Sequence, residues 1–460
     1  MTGRVVDRTG SSRVARIVRG TTRGWAHLSS MTKRFTHGEP VGTIALLGCT
    51  VELSDVLVAL RMLVRMDEAE APSILQLERM FADYVGAPYA YSFLGGRVAL
   101  SAILEAMDIG AGDEVILPGF TCVAVPNALL FRGIRPVYAD IDPDTFNILP
   151  AAIGHHVSRR TRAVIIQHTF GLVADLAPLL AAADHHGVPV IEDCAHALGA
   201  RYRGQKVGTF GGAAFFSTEQ SKPISTQMGG MAVTSDPSLA RRLASIQDRA
   251  PFPSTAEIRE RLGEFVAQYV YSRPQWNEVL GLAFHTLAKR YMQPNGTVAS
   301  TTPEEIHSLR PTDYGKRLPA PLARLGIRQL THVDRYNARR AATARVYDQL
   351  LASVGAKRVA IAAGTSSSFL RYPVFVRDKE AFAEIASRVG IQPGLWYTDN
   401  IHPRGTDLQR LQYERGQCPF AERAARGVAN LPTGYVLPHM TLERFQLLRD
   451  VLVKESEGGS

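Results

Sequence analysis

The sequence predicts an α/β protein in which a mostly parallel sheet lies between layers of helices, followed by a smaller C-terminal α/β domain. Short apolar runs recur along the chain, helical patterns lie between these runs, and a second set of such patterns follows residue 319. Apolar runs without polar alternation are typical of strands buried on both faces, and repeated strand–helix–strand units favour a parallel sheet. In such sheets, ligand-binding and catalytic residues lie at the carboxyl ends of the strands.

The elements follow one another in a regular order. Amphipathic spacing and helix-ending residues predict four helices, over residues 73–85, 98–107, 126–131 and 175–186. Buried apolar runs predict six strands, over residues 114–117, 136–139, 163–166, 188–191, 213–216 and 231–234. A helical insertion at 247–315 interrupts this order, with helices expected at 256–271 and 276–292.

The C-terminal part repeats the pattern on a smaller scale. It predicts one long helix or two in line over 319–352, a strand over 369–376, and helices over 380–389 and 442–453. We therefore expect an N-terminal arm (1–40), a large domain (41–318) that includes the insertion, and a small domain (319–460).

Composition and charge exclude several classes of protein. The 460 residues are 45% hydrophobic and 21% charged, which excludes wholesale disorder, and four cysteines are too few for a disulfide framework. Reduced thiols favour a cytoplasmic location. No apolar stretch before residue 40 fits a secretory signal, and no uninterrupted apolar window fits a membrane span, so no membrane association is expected.

The formal net charge of +9 is concentrated at the N-terminus. Residues 1–37 hold eight Arg or Lys against one acid, whereas the rest of the chain is nearly neutral. We expect residues 1–40 to form a basic, mobile arm. Nucleic-acid binding by this arm is only a minor alternative, because basic runs are usually just solvated.

Two segments place polar side chains where predicted elements meet. Gly96 and Arg97 open a helix, whose N-terminus binds anions such as phosphate, although two glycines before a helix are more often only a turn. Asp193 follows a buried strand, where a carboxylate either caps a helix or pairs with a cationic ligand group. If a helix begins there, His196 would lie on the same helix face as Asp193. Taken by itself, His196 is interpreted as an ordinary histidine.

Lys222 lies in a polar loop that follows the strand predicted at 213–216. A lone lysine in a loop is nearly always solvated. A lysine held near a desolvated cationic cofactor can instead titrate low enough to act as nucleophile and base. The residues alone leave both readings open. No Cys/His spacing suggests a zinc site, and we expect no metal.

Five stretches of the sequence share their order and spacing with a known family. They are residues 101–118, 136–148, 190–200, 206–222 and 229–234. From about residue 75 to its end, the chain thereby resembles the DegT/DnrJ/EryC1/StrS family of pyridoxal-phosphate-dependent sugar aminotransferases. The resemblance implies the aspartate aminotransferase type I fold, the cofactor pyridoxal phosphate and a homodimer.

The resemblance also implies roles for the polar residues. Lys222 would form the Schiff base with the cofactor aldehyde, Asp193 would pair with the pyridine nitrogen, and His196 would lie near the phenolic oxygen of the ring. An acid at the ring nitrogen keeps it protonated, so that the ring accepts electrons released at the substrate.

Four further residues are expected at the cofactor. Ser217, together with the backbone at Gly96 and Arg97, would hold the phosphate. Cys122 stands where many family members have an aromatic residue stacked on the ring, so it would offer a smaller contact unless Phe120 substitutes.

The resemblance implies transfer of an amino group from an amino acid, with glutamate expected, to a keto sugar, most simply a nucleotide-linked one, in polysaccharide or natural-product biosynthesis. A keto cyclitol or another natural-product carbonyl compound is a less favoured acceptor. One alternative is a regulatory or nucleic-acid-associated protein that binds pyridoxal phosphate on the same scaffold without transaminase activity. Dehydratases of the family have a histidine where Lys222 stands, which disfavours them. A nicotinamide-dependent dehydrogenase ranks lower, because no G-x-G-x-x-G turn follows the first strand.

Overall fold

The computed structural model describes most of the chain. The described residues are 46, 50–65, 70–272, 301–312, 314–434 and 442–457. The predicted basic arm (1–40) and the helix predicted at 276–292 lie outside them.

The elements are numbered here along the described part of the chain. Strands β1 to β14 cover, in order, Tyr89–Phe93, Glu114–Pro118, Thr121–Cys122, Arg135–Ala139, Thr161–Gln167, Val190–Asp193, Arg201–Tyr202, Gln205–Lys206, Ala213–Ser217, Gly230–Thr234, Thr365–Ser366, Arg371–Phe375, Ile401–His402 and Val428–Pro432. Helices α1 to α14 cover, in order, Leu53–Val64, Glu70–Val85, Gly96–Ala106, Ala124–Leu130, Pro150–His156, Leu176–His185, Pro237–Arg249, Thr255–Ser272, Pro303–Ile306, Ala320–Leu330, Val333–Ser353, Lys379–Arg388, Pro419–Gly427 and Leu442–Gln446.

A seven-stranded sheet has the strand order β1-β10-β9-β6-β5-β2-β4. The neighbours from β9 to β4 pair in parallel, whereas β10 runs antiparallel to both β9 and β1. The prediction of a mostly parallel α/β sheet is therefore confirmed. Since every strand of this sheet except β10 points the same way, the carboxyl ends of β9, β6, β5 and β2 meet at one edge of the sheet.

Side chains of the sheet alternate between two hydrophobic cores. In β2, Val115 and Leu117 belong to one core, while Ile116 between them belongs to the other. All residues of β2, β9 and β10 are buried. Burial on both faces explains why these strands read as continuous apolar runs in the sequence.

The six predicted strands and the helices between them are present, with ends shifted by one to three residues. The sequence pattern did not reveal β1 or the antiparallel direction of β10. Over 319–352, where one long helix or two were predicted, the structure has two consecutive helices, α10 and α11. The helix predicted over 442–453 is wrong beyond Gln446, because Leu452 bridges to Val376 and the Val453 N–H donates to the Phe375 oxygen at 3.0 Å.

The C-terminal part contains a two-stranded antiparallel sheet of β12 and β14. A separate parallel pair, formed by β13 and β3, connects the C-terminal part to the rest of the fold. This pairing sets His402 beside Cys122. The domain boundaries at 41–318 and 319–460 stay a prediction. Within the described residues, we find no helix with the length and apolar character needed to cross a bilayer.

Candidate active site

Polar side chains converge in a pocket at the carboxyl edge of the sheet. Asp193 ends β6, Ser217 ends β9, Gln167 ends β5, and Gly96 begins α3. Other side chains of the pocket wall come from the loops after β6 and β9, from β3, from the segment before α9 and from the C-terminal part, and include Cys122, His196, Glu219, Ser221, Lys222, Met228, Thr301, Trp396, Tyr397 and His402. The pocket thus contains every residue that the sequence placed at the cofactor except Phe120.

Lys222 and His196 form a hydrogen-bonded pair. Lys222 Nζ lies 3.1 Å from His196 Nε2, and His196 Nδ1 accepts the backbone N–H of Phe170 at 3.2 Å. A ring nitrogen that accepts an N–H carries no proton, so we assign the imidazole proton to Nε2. Nε2–H then donates to the Lys222 amine, which must be neutral to accept.

Burial favours these neutral forms. It holds the pKa of the Lys222 ammonium below its ordinary value, with Glu219 acting in the opposite direction. Burial likewise lowers the pKa of His196 well below its usual range. An uncharged lysine amine is a nucleophile and a base, whereas an ammonium is neither. The pair is therefore poised for covalent or proton-transfer chemistry.

Asp193 is a buried acid at the end of β6. Its Oδ1 accepts the Ala195 N–H at 3.0 Å, and burial raises the pKa of the carboxyl to about 6 against the opposing effects of Ala195 and Lys222. A buried carboxylate in this position gains stability from a cationic partner. Asp193 therefore fits a protonated nitrogen of a bound ring.

A cradle for an anion lies where α3 meets the end of β9. A Cβ atom added to Gly96 would come within 3.0 Å of Ser217 Cβ, and one added to Gly230 would lie 2.4 Å from the backbone of Gly95. Glycine at these positions thus lets helix α3 approach the strand ends closely. The helix N-terminus and the Ser217 hydroxyl together suit a phosphate.

The Arg97 guanidinium is engaged with a buried acid. Arg97 Nη1 forms an ion pair with Glu305, whose side chain also closes a capping box with Thr302 at the start of α9. The Tyr314 hydroxyl donates to the Arg97 carbonyl at 3.0 Å. The side chain of Arg97 is therefore held by Glu305 of the predicted insertion, while its backbone contacts Tyr314 and lies at the anion cradle.

Cys122, rather than Phe120, lines the pocket. Phe120 is fully buried against the rings of Phe146, Phe170 and Tyr397, with a centroid separation of 4.9 Å to Tyr397. Burial raises the pKa of the Cys122 thiol, so this side chain is neutral and offers a small, polarisable surface.

The loop that carries Lys222 rests on helix α8. Gln268 Nε2 donates to the Gln220 carbonyl at 2.9 Å, and Gln227 Nε2 donates to Glu264 at 3.2 Å. Within the loop, the Thr226 N–H donates to the Thr218 carbonyl at 2.8 Å. Part of the predicted insertion therefore supports the reactive lysine.

The sequence did not single out several residues of the pocket wall. Gln167 directly follows a buried strand, which is a recognisable signal, and its amide bonds to Thr121, Thr169 and the Phe120 carbonyl. Glu219 stands three residues before the lysine within a matched stretch. Thr301 carries no local signal, because only the tertiary fold brings it to the pocket.

His168, Glu192 and Cys194 cluster behind the pocket at distances that would suit a metal ion. Their atoms are already hydrogen-bonded: the Glu192 carboxylate accepts the N–H groups of Gly208, Phe210 and Gly211, and His168 Nδ1 accepts that of Ala174. The cluster therefore fixes the backbone next to Asp193.

Comparison with known proteins points to one family. A sequence model described as the DegT/DnrJ/EryC1/StrS aminotransferase family matches residues 64–259 and 285–451. The interruption falls inside the segment 247–315 that the sequence pattern marks as an insertion.

Individual relatives agree with this match. The chain is 42% identical over 189 residues to L-glutamine:2-deoxy-scyllo-inosose aminotransferase of Streptomyces fradiae, covering 40% of this chain and 45% of that protein. It is 40% identical over 181 residues to GDP-perosamine synthase of Caulobacter vibrioides, covering 39% and 49%. The chain thus spans just under half the length of these curated relatives.

A solved structure extends the likeness over most of the fold. DesV of S. venezuelae, crystallised in complex with a ketimine intermediate, shares 26% identity with a TM-score of 0.64. The superposition covers 86% of this chain and 92% of that one.

Proposed function

The chain belongs to the DegT/DnrJ/EryC1/StrS aminotransferase family, and from this premise we propose that it is a pyridoxal-phosphate-dependent aminotransferase. It moves an amino group from glutamate or glutamine to a keto sugar or a sugar-like cyclic ketone. The observation that carries the proposal is the buried Lys222 amine, 3.1 Å from His196, in one pocket with the buried acid Asp193. The named activities of the relatives support this reaction and this class of acceptor.

The residues of the pocket fit pyridoxal phosphate. The cradle at Gly96 and Ser217 would hold the phosphate, and Asp193 would hold the ring nitrogen. His196, with its proton on Nε2, would donate to the phenolic oxygen. When bound, the cofactor supplies an aldehyde carbon and a ring that accepts electrons from the substrate.

Lys222 has two tasks in this reaction. Its amine would be the nucleophile that holds the cofactor at rest, and once released it would take a proton from the amino-bearing carbon of the donor. Burial keeps the pKa of Lys222 below its ordinary value, which favours the uncharged amine that both tasks need. Without the ring, His196 Nε2 lies 3.1 Å from this amine, and its proton would pass to the phenolic oxygen when the cofactor binds.

A half-reaction screen tests the proposal. Protein loaded with pyridoxal phosphate should change its visible absorption when glutamate or glutamine is added, and the original spectrum should return when a keto sugar accepts the amino group. The acceptors to compare are a nucleotide-linked keto sugar and a free polyhydroxylated cyclic ketone.

Cofactor binding without a spectral response to either amino acid would contradict the proposal. Such a result would favour the alternative of a regulatory or nucleic-acid-associated protein that binds the cofactor without transamination.

We also propose that the enzyme is a homodimer, as the family resemblance implies. Helix α1 supports a contact between proteins, because Leu53, Leu57, Leu60 and Val64 recur on one face and are 42–84% exposed. An apolar stripe of this kind marks a protein-interaction surface more often than a solvated one.

We further propose a cytoplasmic location. Among the described residues, Cys122, Cys194 and Cys418 carry free thiols. Free thiols are typical of reducing compartments, which supports the proposal.

A further inference from the structure

Glu219 holds an unusual position in the wall of the pocket. Its side chain is 7% exposed, and its Oε2 accepts both the backbone N–H of Ser221 at 3.0 Å and the Ser221 hydroxyl at 2.6 Å. The second oxygen, Oε1, is buried and has no hydrogen-bond partner among the described residues. The carboxylate is therefore fixed in orientation through one oxygen and unsatisfied at the other.

A buried carboxylate oxygen without a donor is uncommon in folded proteins, because the group loses its hydration without replacement. Glu219 lines the same pocket as Lys222 and lies near enough to raise the pKa of that lysine. A molecule bound in the pocket would reach Oε1 by displacing the atoms that cover it here, and would then supply the missing hydrogen bond. The chemistry of the oxygen limits which molecules do so.

A carboxylate oxygen only accepts hydrogen bonds. It therefore binds an N–H or O–H donor and repels a carboxylate or phosphate. The α-ammonium group is common to all amino donors and does not distinguish them, which leaves two neutral groups of the substrates named above: the carboxamide of glutamine and a hydroxyl of a polyhydroxylated acceptor. The γ-carboxylate of glutamate offers no such donor.

We propose that Glu219 Oε1 is a specificity-determining contact, which accepts a hydrogen bond from a neutral N–H or O–H group of a substrate. The proposal rests on the proposed aminotransferase function. It adds that the pocket selects a substrate by an uncharged donor group near the reactive lysine. If the carboxamide of glutamine supplies this hydrogen bond, the enzyme prefers glutamine to glutamate.

The test compares the wild-type enzyme with Glu219→Gln, each loaded with pyridoxal phosphate. Glutamine keeps the shape of the side chain and presents an NH₂ group, which donates, in place of the accepting oxygen. If the source is the carboxamide, the ratio of kcat/KM for L-glutamine to that for L-glutamate falls by about tenfold or more.

A second arm examines the acceptor, with scyllo-inosose as the probe. If the source is a hydroxyl, Glu219→Gln raises the KM for scyllo-inosose by about tenfold or more, while the ratio of the two amino donors stays constant. Binding of scyllo-inosose, followed by calorimetry on enzyme in its pyridoxamine phosphate form, weakens by the same factor. A general loss of structure would impair the reactions of the amino donors and of the amino acceptor alike, and so would not separate the two effects in this way.

The matched control is Glu105→Gln, which changes a carboxylate on the surface that is paired with Arg132 and Arg249. It should leave the donor ratio and the acceptor KM unchanged. The inference is overturned if Glu219→Gln behaves like Glu105→Gln in both arms. Failure of the proposed function looks different, because the wild type would then show no spectral response to any amino donor.

A measurement on the wild type alone covers the case in which Glu219→Gln does not fold. The γ-methyl ester of L-glutamate has an uncharged side chain of similar size, but it lacks the N–H donor. Glutamine should be used about tenfold better than this ester if the carboxamide is the source. For a hydroxyl source, scyllo-inosose should bind about tenfold more tightly than at least one of its monodeoxy analogues. Equal use of both donors together with equal binding of all these ketones would overturn the inference.

Discussion

At the residue scale, Asp193 shows that the pocket is built for a ligand rather than for stability. Its folded-state pKa of about 6 lies above the ordinary value of 3.8, and the cause is burial. Between these values the folded protein holds a proton that the unfolded chain releases. The stability due to this proton is present at low pH and is lost as the pH rises through about 6.

Asp193→Asn should therefore stabilise the cofactor-free protein while abolishing its activity. The buried charge disappears, so the free energy of unfolding at pH 8 should exceed that of the wild type by up to about 3 kcal/mol, and the gain should vanish near pH 4. Thermal unfolding at both pH values measures the difference. A variant that is less stable than the wild type at pH 8 would contradict this view of Asp193.

Sequence reasoning reached some residues of the site and not others, for a physical reason. Asp193 and Ser217 each end a buried strand, and Lys222 follows one, so the local pattern set them near strand ends, whereas their shared site was implied by the family resemblance. The partner of Arg97 was beyond reach, because Glu305 lies far away in the chain and no short-range pattern joins the two. The unsatisfied oxygen of Glu219 likewise emerges only from the packed loop.

At the element scale, helix α8 holds the loop that carries the reactive lysine. Gln268 is 8% exposed, and its amide donates to the Gln220 carbonyl two residues before Lys222. Without this bond, a partly buried carbonyl loses its donor. The helix therefore influences the site without touching a substrate.

Gln268→Ala should loosen the lysine loop. We expect a loss of about 1–3 kcal/mol in the stability of the loop, seen as faster amide hydrogen exchange over residues 218–229, and a kcat reduced several-fold. Gln409→Ala, at an exposed position, serves as the matched control. Equal exchange rates in the two variants would show that α8 does not support the loop.

The elements of the sheet could be predicted because they are buried on both faces and read as continuous apolar runs. Strand β1 was missed, since partly exposed Tyr89 and Tyr91 interrupt its short apolar pattern. The end of the last helix was wrong, because Leu452 and Val453 pair with the edge of β12. At this point a tertiary contact overrides the local preference of the sequence for a helix.

At the scale of the whole molecule, distant segments of the chain complete the pocket. Strand β13 pairs with β3, which brings His402 beside Cys122, and Trp396 and Tyr397 close the same wall. Burial lowers the pKa of His402 to about 3, so this histidine is neutral at physiological pH. The sequence predicted the elements of both parts of the fold. It did not predict which residues of the two parts contact each other, because these contacts follow only from the pairing of short strands.

A rival nucleophile makes the central claim testable. Burial lowers the pKa of Lys379 to about 8, and its Nζ donates to the carbonyl of the pocket residue Tyr397 at 2.8 Å. Lys222 and Lys379 are thus both buried lysines near the pocket. Only Lys222 shares the pocket with Asp193 and the anion cradle.

The most direct measurement is borohydride reduction of the enzyme loaded with pyridoxal phosphate, followed by peptide mass spectrometry. Our account predicts that the cofactor is fixed to Lys222, that Lys222→Ala removes this label together with the visible absorption band, and that Lys379→Ala retains both. A label on Lys379 or another lysine, or an unchanged spectrum in Lys222→Ala, would contradict it.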